Sequence, residues 1–179
     1  MRRGRMRDAR ATMLLKISEE LNLDASLEDV WRLLRDTPRL AGLLPGVERV
    51  TPLNEPGVEA YQVKAGDKIG PFKVALNMEI LLAETQAPSF LKASVKGADS
   101  IGLNRVTGSL RVTLSPVASS TRMQFEVDIE ILGKLATLGA VPIRRRATEK
   151  FAEFARNVQA HFAPDVRANL RTPSTKDRR

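Results

Sequence analysis

The chain has 179 residues, 42% of them apolar, a formal net charge of +8 and no cysteine. That length suits one domain with a sizeable core, and the lack of cysteine excludes disulfides, thiolate catalysis and Cys-based metal sites. The positive charge belongs to the ends: residues 1–12 carry +4 and residues 164–179 carry +3, which leaves +1 for residues 13–163. The expected organisation is therefore a basic disordered extension at 1–12, one domain at 13–163 and a basic flexible tail at 164–179. Basic tails suit contact with an anionic membrane surface, whereas an almost neutral body offers no nucleic-acid face. No window approaches the ~18–20 apolar residues of a membrane span, and the Arg-rich start lacks the apolar stretch of a secretory signal. The expected location is the cytoplasm, with peripheral contact at the inner face of the membrane.

The first pattern, LLKISEELNLDA, alternates through Leu15, Ile17, Glu19, Leu21 and Leu23 and predicts a strand. Ser26 has the character of an N-cap, with Glu28 and Asp29 in the first turn where a helix favours negative charge. A helix through Val30, Trp31, Leu33 and Leu34 follows, and Pro38 opens a second short helix that stops at Pro45-Gly46. A meander comes next: VERVTPL, a turn at residues 54–57, then VEAYQVKAGDKI with Tyr61, Val63 and Ala65 on one face. Gly70-Pro71 turns the chain into an alternation of Phe72, Val74, Leu76, Met78, Ile80 and Leu82. Ala87-Pro88 leads to SFLKASVKG with Leu91, Ala93 and Val95 inward, and RVTGSLRVTLS places Val106, Gly108, Leu110, Val112 and Leu114 inward. The last strand, RMQFEVDIEI, has Met123, Phe125, Val127, Ile129 and Ile131 on its greasy face.

After Gly133 the period becomes helical, with Leu135, Leu138, Ile143, Ala147, Phe151, Phe154 and Val158 on one stripe. These elements predict an α+β fold, a one-faced antiparallel sheet of seven strands burying itself against one long terminal helix. Ala65, Ala93 and Gly108 are small residues on the inward face. They either let the helix approach closely or leave a hollow between sheet and helix.

The catalytic inventory is poor. One His, His161, lies near the end of the terminal helix, where the helix dipole favours a cation. One Tyr, Tyr61, lies on the inner wall, where its hydroxyl is available to a ligand carbonyl or to acid–base work. No metal-ligand spacing or phosphate loop is present. Arg144, Arg145 and Arg146 are about 100° apart on a helix, so they form no flat reading face, and Arg145 can pair with Glu149. What remains is apolar ligand binding. The expected walls are Tyr61, Val63, Phe72, Val74, Met78, Ala93, Val106, Leu110 and Phe125 from the sheet, with Ile143 and Phe151 from the helix. Leu44 in AGLLPG, with Leu135 and Leu138 in GKLATLG, marks the expected mouth. There Gly133, Gly139 and Pro142 disfavour a rigid helix.

The order strand, two short helices, six strands and a long helix resembles the helix-grip fold of the START-like (SRPBCC) superfamily. Within it, DVWRLLRDTPRLAGLLPGVERV at 29–50, KIGPFKV at 68–74, RVTGSLRVTL at 105–114 and GKLATLG at 133–139 resemble the G-subunit family of carbon monoxide dehydrogenase. The resemblance implies a noncatalytic cavity protein that requires no cofactor and carries a quinone- or lipid-like molecule. It further implies service to a molybdenum hydroxylase of the carbon monoxide dehydrogenase type. Two alternatives share the fold: a polyketide cyclase or dehydratase using the same cavity through Tyr61, and an assembly factor without ligand. Three departures from the family pattern are visible: the sequence from Ala163 onward is polar and basic where many relatives continue into an apolar membrane anchor, Leu76-Asn77-Met78 replaces a Phe-x-Gly, and Pro142 is expected to interrupt the start of the long helix.

Overall fold

The computed structural model describes residues 11–164, so the expected basic ends at 1–12 and 164–179 lie almost entirely outside the described residues. Strand β1 (Thr12–Leu23) is followed by helices α1 (Leu27–Arg35) and α2 (Thr37–Gly42). The meander comprises β2 (Val47–Glu55), β3 (Val58–Ile69), β4 (Phe72–Gln86), β5 (Phe90–Asp99), β6 (Asn104–Val117) and β7 (Ser120–Gly133). A 3-10 helix (Lys134–Leu138) leads into α3 (Ala140–Phe162). The strands form one antiparallel seven-stranded sheet in the order β1-β7-β6-β5-β4-β3-β2. Every meander strand pairs with its chain neighbour, and β1 closes the far side by pairing with the last strand. This is the helix-grip architecture expected from the element order.

Local chemistry sets the helix boundaries. Ser26 is extended (φ −65°, ψ 153°) and its Oγ accepts the Asp29 N–H at 3.2 Å, satisfying an otherwise orphaned donor of α1. Asp36 ends α1 through its own N–H and begins α2 by accepting the Arg39 N–H at 3.2 Å, so one residue hinges the two pieces. Pro142 does not interrupt α3. It is the third residue of that helix, in the first turn, whose N–H groups have no helical acceptor. The interruption falls instead at Gly139 (φ +78°), between the 3-10 helix and α3.

The register aligns the greasy faces of all the strands. One row across the sheet reads Val63, Met78, Gly97, Val106, Ile131 and Met13, and the next reads Tyr61, Ile80, Val95, Gly108, Ile129 and Leu15. Glycine in these rows answers a demand of the sheet itself. A Cβ on Gly108 would lie 2.1 Å from the Asp128 carbonyl oxygen and 2.8 Å from Ile129 Cγ2, both on the neighbouring strand. Gly108, left open by the sequence between close helix approach and a hollow, lets β6 and β7 approach closely. On Gly97 a Cβ would lie 2.6 Å from Met78 Cγ, so the Met78 side chain occupies that space.

The core comes in two pieces. The first gathers Leu21, Leu23, Val30, Leu33, Leu34, Leu91, Ala93, Val112, Leu114, Met123, Phe154 and Val158 where α1 and the end of α3 meet the sheet. The second gathers Leu15, Val74, Val106, Ile131, Leu135 and Ile143 around the 3-10 helix and the start of α3. Gly108→Ala is expected to lower stability by about 1–3 kcal/mol, the usual range for overpacking. Urea unfolding monitored at Trp31 measures it, and an unchanged midpoint would contradict the close approach of β6 and β7.

Candidate ligand-binding site

Helix α3 bridges the two cores. Ile143 is buried in the second core, Phe154 and Val158 in the first, and half-buried Phe151 packs on the first. Phe125, Phe151 and Phe154 form a ring cluster there, with Phe125 edge-on to the other two at 5.4 and 5.7 Å. Between these anchors the helix presents Ala147, a small residue. Opposite lies a band of inward residues, Val63, Ala65, Met78, Val95 and Val127, that belongs to neither core. Apart from Val63 these remain partly open to solvent although the sheet curls under a helix. An apolar band flanked by two packed cores is a place where an apolar molecule gains by burying surface, at about 25 cal/mol per Å².

The expected wall residues divide along the same lines. Ala93, Leu110, Phe125 and Phe151 belong to the first core, and Phe72, Val74, Val106, Leu135, Leu138 and Ile143 to the second. Val63 and Met78 fall in the band itself. Leu44 is 40% exposed and belongs to neither core. Tyr61 is partly buried, and its hydroxyl donates to Glu59 Oε1 at 2.9 Å. Arg35 Nη2 donates to the other Glu59 oxygen at 2.7 Å. Burial and the neighbouring carboxylate raise the Tyr61 phenol above its ordinary value, although a Thr37 hydrogen bond pulls the other way, so it stays protonated. The expected mouth is also divided: AGLLPG packs into the first core through Leu43, and GKLATLG into the second through Leu135 and Leu138.

Along β3, between those segments, lies a polar crosslink absent from the expected site. Asp67 occupies an inward position, in the alternation Tyr61, Val63, Ala65, Asp67 and Ile69. Its carboxylate accepts two hydrogen bonds from Arg146 of α3, at 2.9 and 2.7 Å, and lies 3.4 Å from Lys150 Nζ. Burial alone would raise this carboxyl. The Arg146 hydrogen bonds, the Lys68 N–H and the Lys150 charge outweigh it and hold Asp67 below the ordinary value. The three consecutive arginines do diverge: Arg144 donates to the Lys16 carbonyl, Arg145 pairs with Glu149 at 3.4 Å, and Arg146 turns to Asp67.

A second strut pins the 3-10 helix. Buried Asn104 donates to Asp99 Oδ2 at 2.7 Å and accepts the Leu135 N–H at 2.7 Å. Leu103 N–H donates to the other Asp99 oxygen at 2.8 Å, while the Leu103 carbonyl accepts the Lys134 N–H. GKLATLG is thereby tied to the β5–β6 loop by its own backbone.

Two surface cavities accompany the band. One of 560 Å³ wraps the β3–β4 lip and is lined by Gly46, Val47, Glu48, Gly66, Asp67, Lys68, Lys73, Val74 and Ala75. The other, of 390 Å³, lies where α1 meets the end of α3 and is lined by Asp29, Arg32, Leu33, Asp36, Arg39, His161 and Phe162. His161 packs edge-on to Phe162 there, in a cavity that Asp29 and Asp36 also line. Among the described residues no cluster of three or more His, Asp or Glu is placed to hold a metal ion. Among them, too, no helix is long and apolar enough to cross a membrane.

Residues 20–163 match the family model for the carbon monoxide dehydrogenase G subunit (CoxG). The chain belongs to the CoxG family. Its solved structural relatives have the same fold at low identity. A conserved protein from Geobacillus kaustophilus is 21% identical, with a TM-score of 0.73 over 83% of this chain and 95% of that one. A START superfamily protein from Mycobacterium smegmatis is 12% identical, with a TM-score of 0.59 over 82% and 96%. The di-domain ARO/CYC protein BexL, from the BE-7585A biosynthetic pathway, is 15% identical, with a TM-score of 0.58 over 85% of this chain and 51% of that one. No curated protein matches the chain significantly. For this CoxG-family chain, family and fold together make a hydrophobic ligand-binding scaffold.

Two measurements check the polar framework. Asn104→Ala leaves the buried Leu135 N–H without its acceptor and is expected to cost about 1–3 kcal/mol. Hydrogen exchange should rise at residues 133–139 first, and uniform loss of protection would argue against a local strut. For Asp67 the folded value lies below the ordinary 3.8, so its contribution is present above that value and lost as pH falls through the lower one. Asp67→Asn should therefore melt earlier than wild type at neutral pH, with the difference closing in acid. A difference independent of pH would contradict the ion pair.

Proposed function

We propose that this CoxG-family protein is a noncatalytic carrier that holds a quinone- or lipid-like molecule in the band between sheet and helix, in service of a molybdenum hydroxylase of the carbon monoxide dehydrogenase type. The observation that carries the reading is the split core. A domain of this size gains stability by joining its apolar clusters, and here two clusters stand apart under one helix. The walls of the intervening band are apolar, which supports binding. Its polar neighbours Tyr61, Glu59 and Arg35 are bonded to one another, which supports storage rather than turnover. The family membership supports the hydroxylase partner, and contact with an anionic membrane through the basic ends fits a carrier of membrane-soluble cargo.

Native mass spectrometry of freshly purified protein, followed by organic extraction, tests the reading. A lipophilic adduct released by solvent is expected, and absence of any adduct together with no uptake of added quinone or lipid would overturn it. Ala147→Phe fills the band from the helix side. It should weaken lipophile binding by at least about tenfold while leaving the melting temperature within a few degrees.

A further inference from the structure

Resting on the carrier reading, we propose that Arg146 and Lys150 form a head-group site at the lip of the band, and that the carried lipophile bears an acceptor oxygen, carbonyl or carboxylate, which takes these donors over from Asp67. On a helical projection Lys150 and Arg146 fall on the flank of the stripe Ile143, Ala147, Phe151 and Phe154, on the side that faces β3. Their donors therefore stand at the rim of an otherwise apolar site, where a few placed polar groups fix a ligand's orientation. In the present structure Asp67 occupies them as an internal acceptor, and Glu149 accepts a further hydrogen bond from Arg146 Nη1 at 3.0 Å. Its carboxylate receives the guanidinium in the two-pronged manner in which that group holds an oxygen ligand.

The surroundings favour an acceptor. Asp67 also lines the 560 Å³ cavity at the lip, together with inward-facing Val74 and with Lys68 and Lys73. Those two lysines lie directly opposite each other on β3 and β4, a like-charge pair that costs stability. Among the described residues neither lysine has a carboxylate within ion-pair distance. Lys68 and Lys73 stand in the outward register, whereas on the inward rim Arg146 and Lys150 are the cations, against Asp67 and Glu149. The crosslink is partly exposed, with side-chain exposures of 34% for Arg146, 25% for Lys150 and 23% for Asp67. Such ion pairs exchange at a small cost compared with an apolar seal.

Competition between Asp67 and the ligand head gives an outcome that a merely structural ion pair does not. Displacement of Nile red, a neutral lipophilic dye, is measured for three probes with one chain and three heads: decylbenzene, a decylbenzoquinone and decylbenzoate. At least one oxygen-headed probe is expected to bind about tenfold or more tightly than decylbenzene, the scale of one charge-assisted hydrogen bond. Arg146→Leu should erase that advantage, and Asp67→Asn should enlarge it several-fold by weakening the internal competitor. Lys150→Gln, a milder change, should reduce the advantage and stands in for Arg146→Leu if that variant does not fold. Equal binding of the three probes, an advantage that survives loss of Arg146, or weaker oxygen-headed binding in Asp67→Asn would each overturn the head-group site while leaving the carrier intact. Failure of Nile red and all three probes to bind would overturn the carrier reading, and the head-group site with it.

Discussion

The close approach of β6 to β7 at Gly108 is the constraint from which the rest of the architecture follows. With the Asp128 carbonyl 2.1 Å from where a Cβ would stand, no other residue fits without moving a strand. The concave face carries two packed clusters rather than one. One end is finished by α1 and the aromatic cluster of Phe125, Phe151 and Phe154, the other by the 3-10 helix. A single helix then spans both, touching firmly at each end and through Ala147 in the middle.

Polar bonds hold the movable parts in place. Asn104 fixes the 3-10 helix through the Leu135 N–H, and Asp67 fixes the flank of α3 through Arg146 and Lys150. Hydrogen bonds of this kind are directional yet modest in net energy, so they specify position without making separation prohibitive. The apolar ends of α3 supply the affinity of helix for sheet. The division of labour suits a scaffold whose ends stay packed while its middle exchanges partners with a ligand.

Much of the fold was legible because periods of two and of 3.6 are imposed by burial. RMQFEVDIEI and the stripe after Gly133 announced a strand and a helix, and Ser26 and Pro38 marked their helix starts by capping chemistry. The family resemblance carried by residues 29–50, 68–74, 105–114 and 133–139 falls within the matched span. Less of the site could be read. Residue type distinguishes inward from outward but not the first core from the second, so Ala93 and Val106 looked alike as wall residues although they lie in different clusters. Gly108 was open between room for a helix and a hollow because a sequence shows a missing side chain without showing which neighbour needs the space. Asp67 carried a signal of its own: a carboxylate in the inward register of β3 must find a cation, and the cations on α3 are 79 and 83 positions away in the chain.

The sheet order carries a consequence for how the molecule comes into being. Strand β1 has only β7 as its sheet neighbour, and their register joins Thr12 to Leu132 and Leu23 to Thr121. The first strand made must therefore wait for the last before the sheet can close, a long-range pairing that slows folding. Helix α3 comes later still. Until α3 is made, α1 covers one end of the meander's greasy face and the other end lies open, so the nascent chain carries an aggregation hazard until α3 is complete.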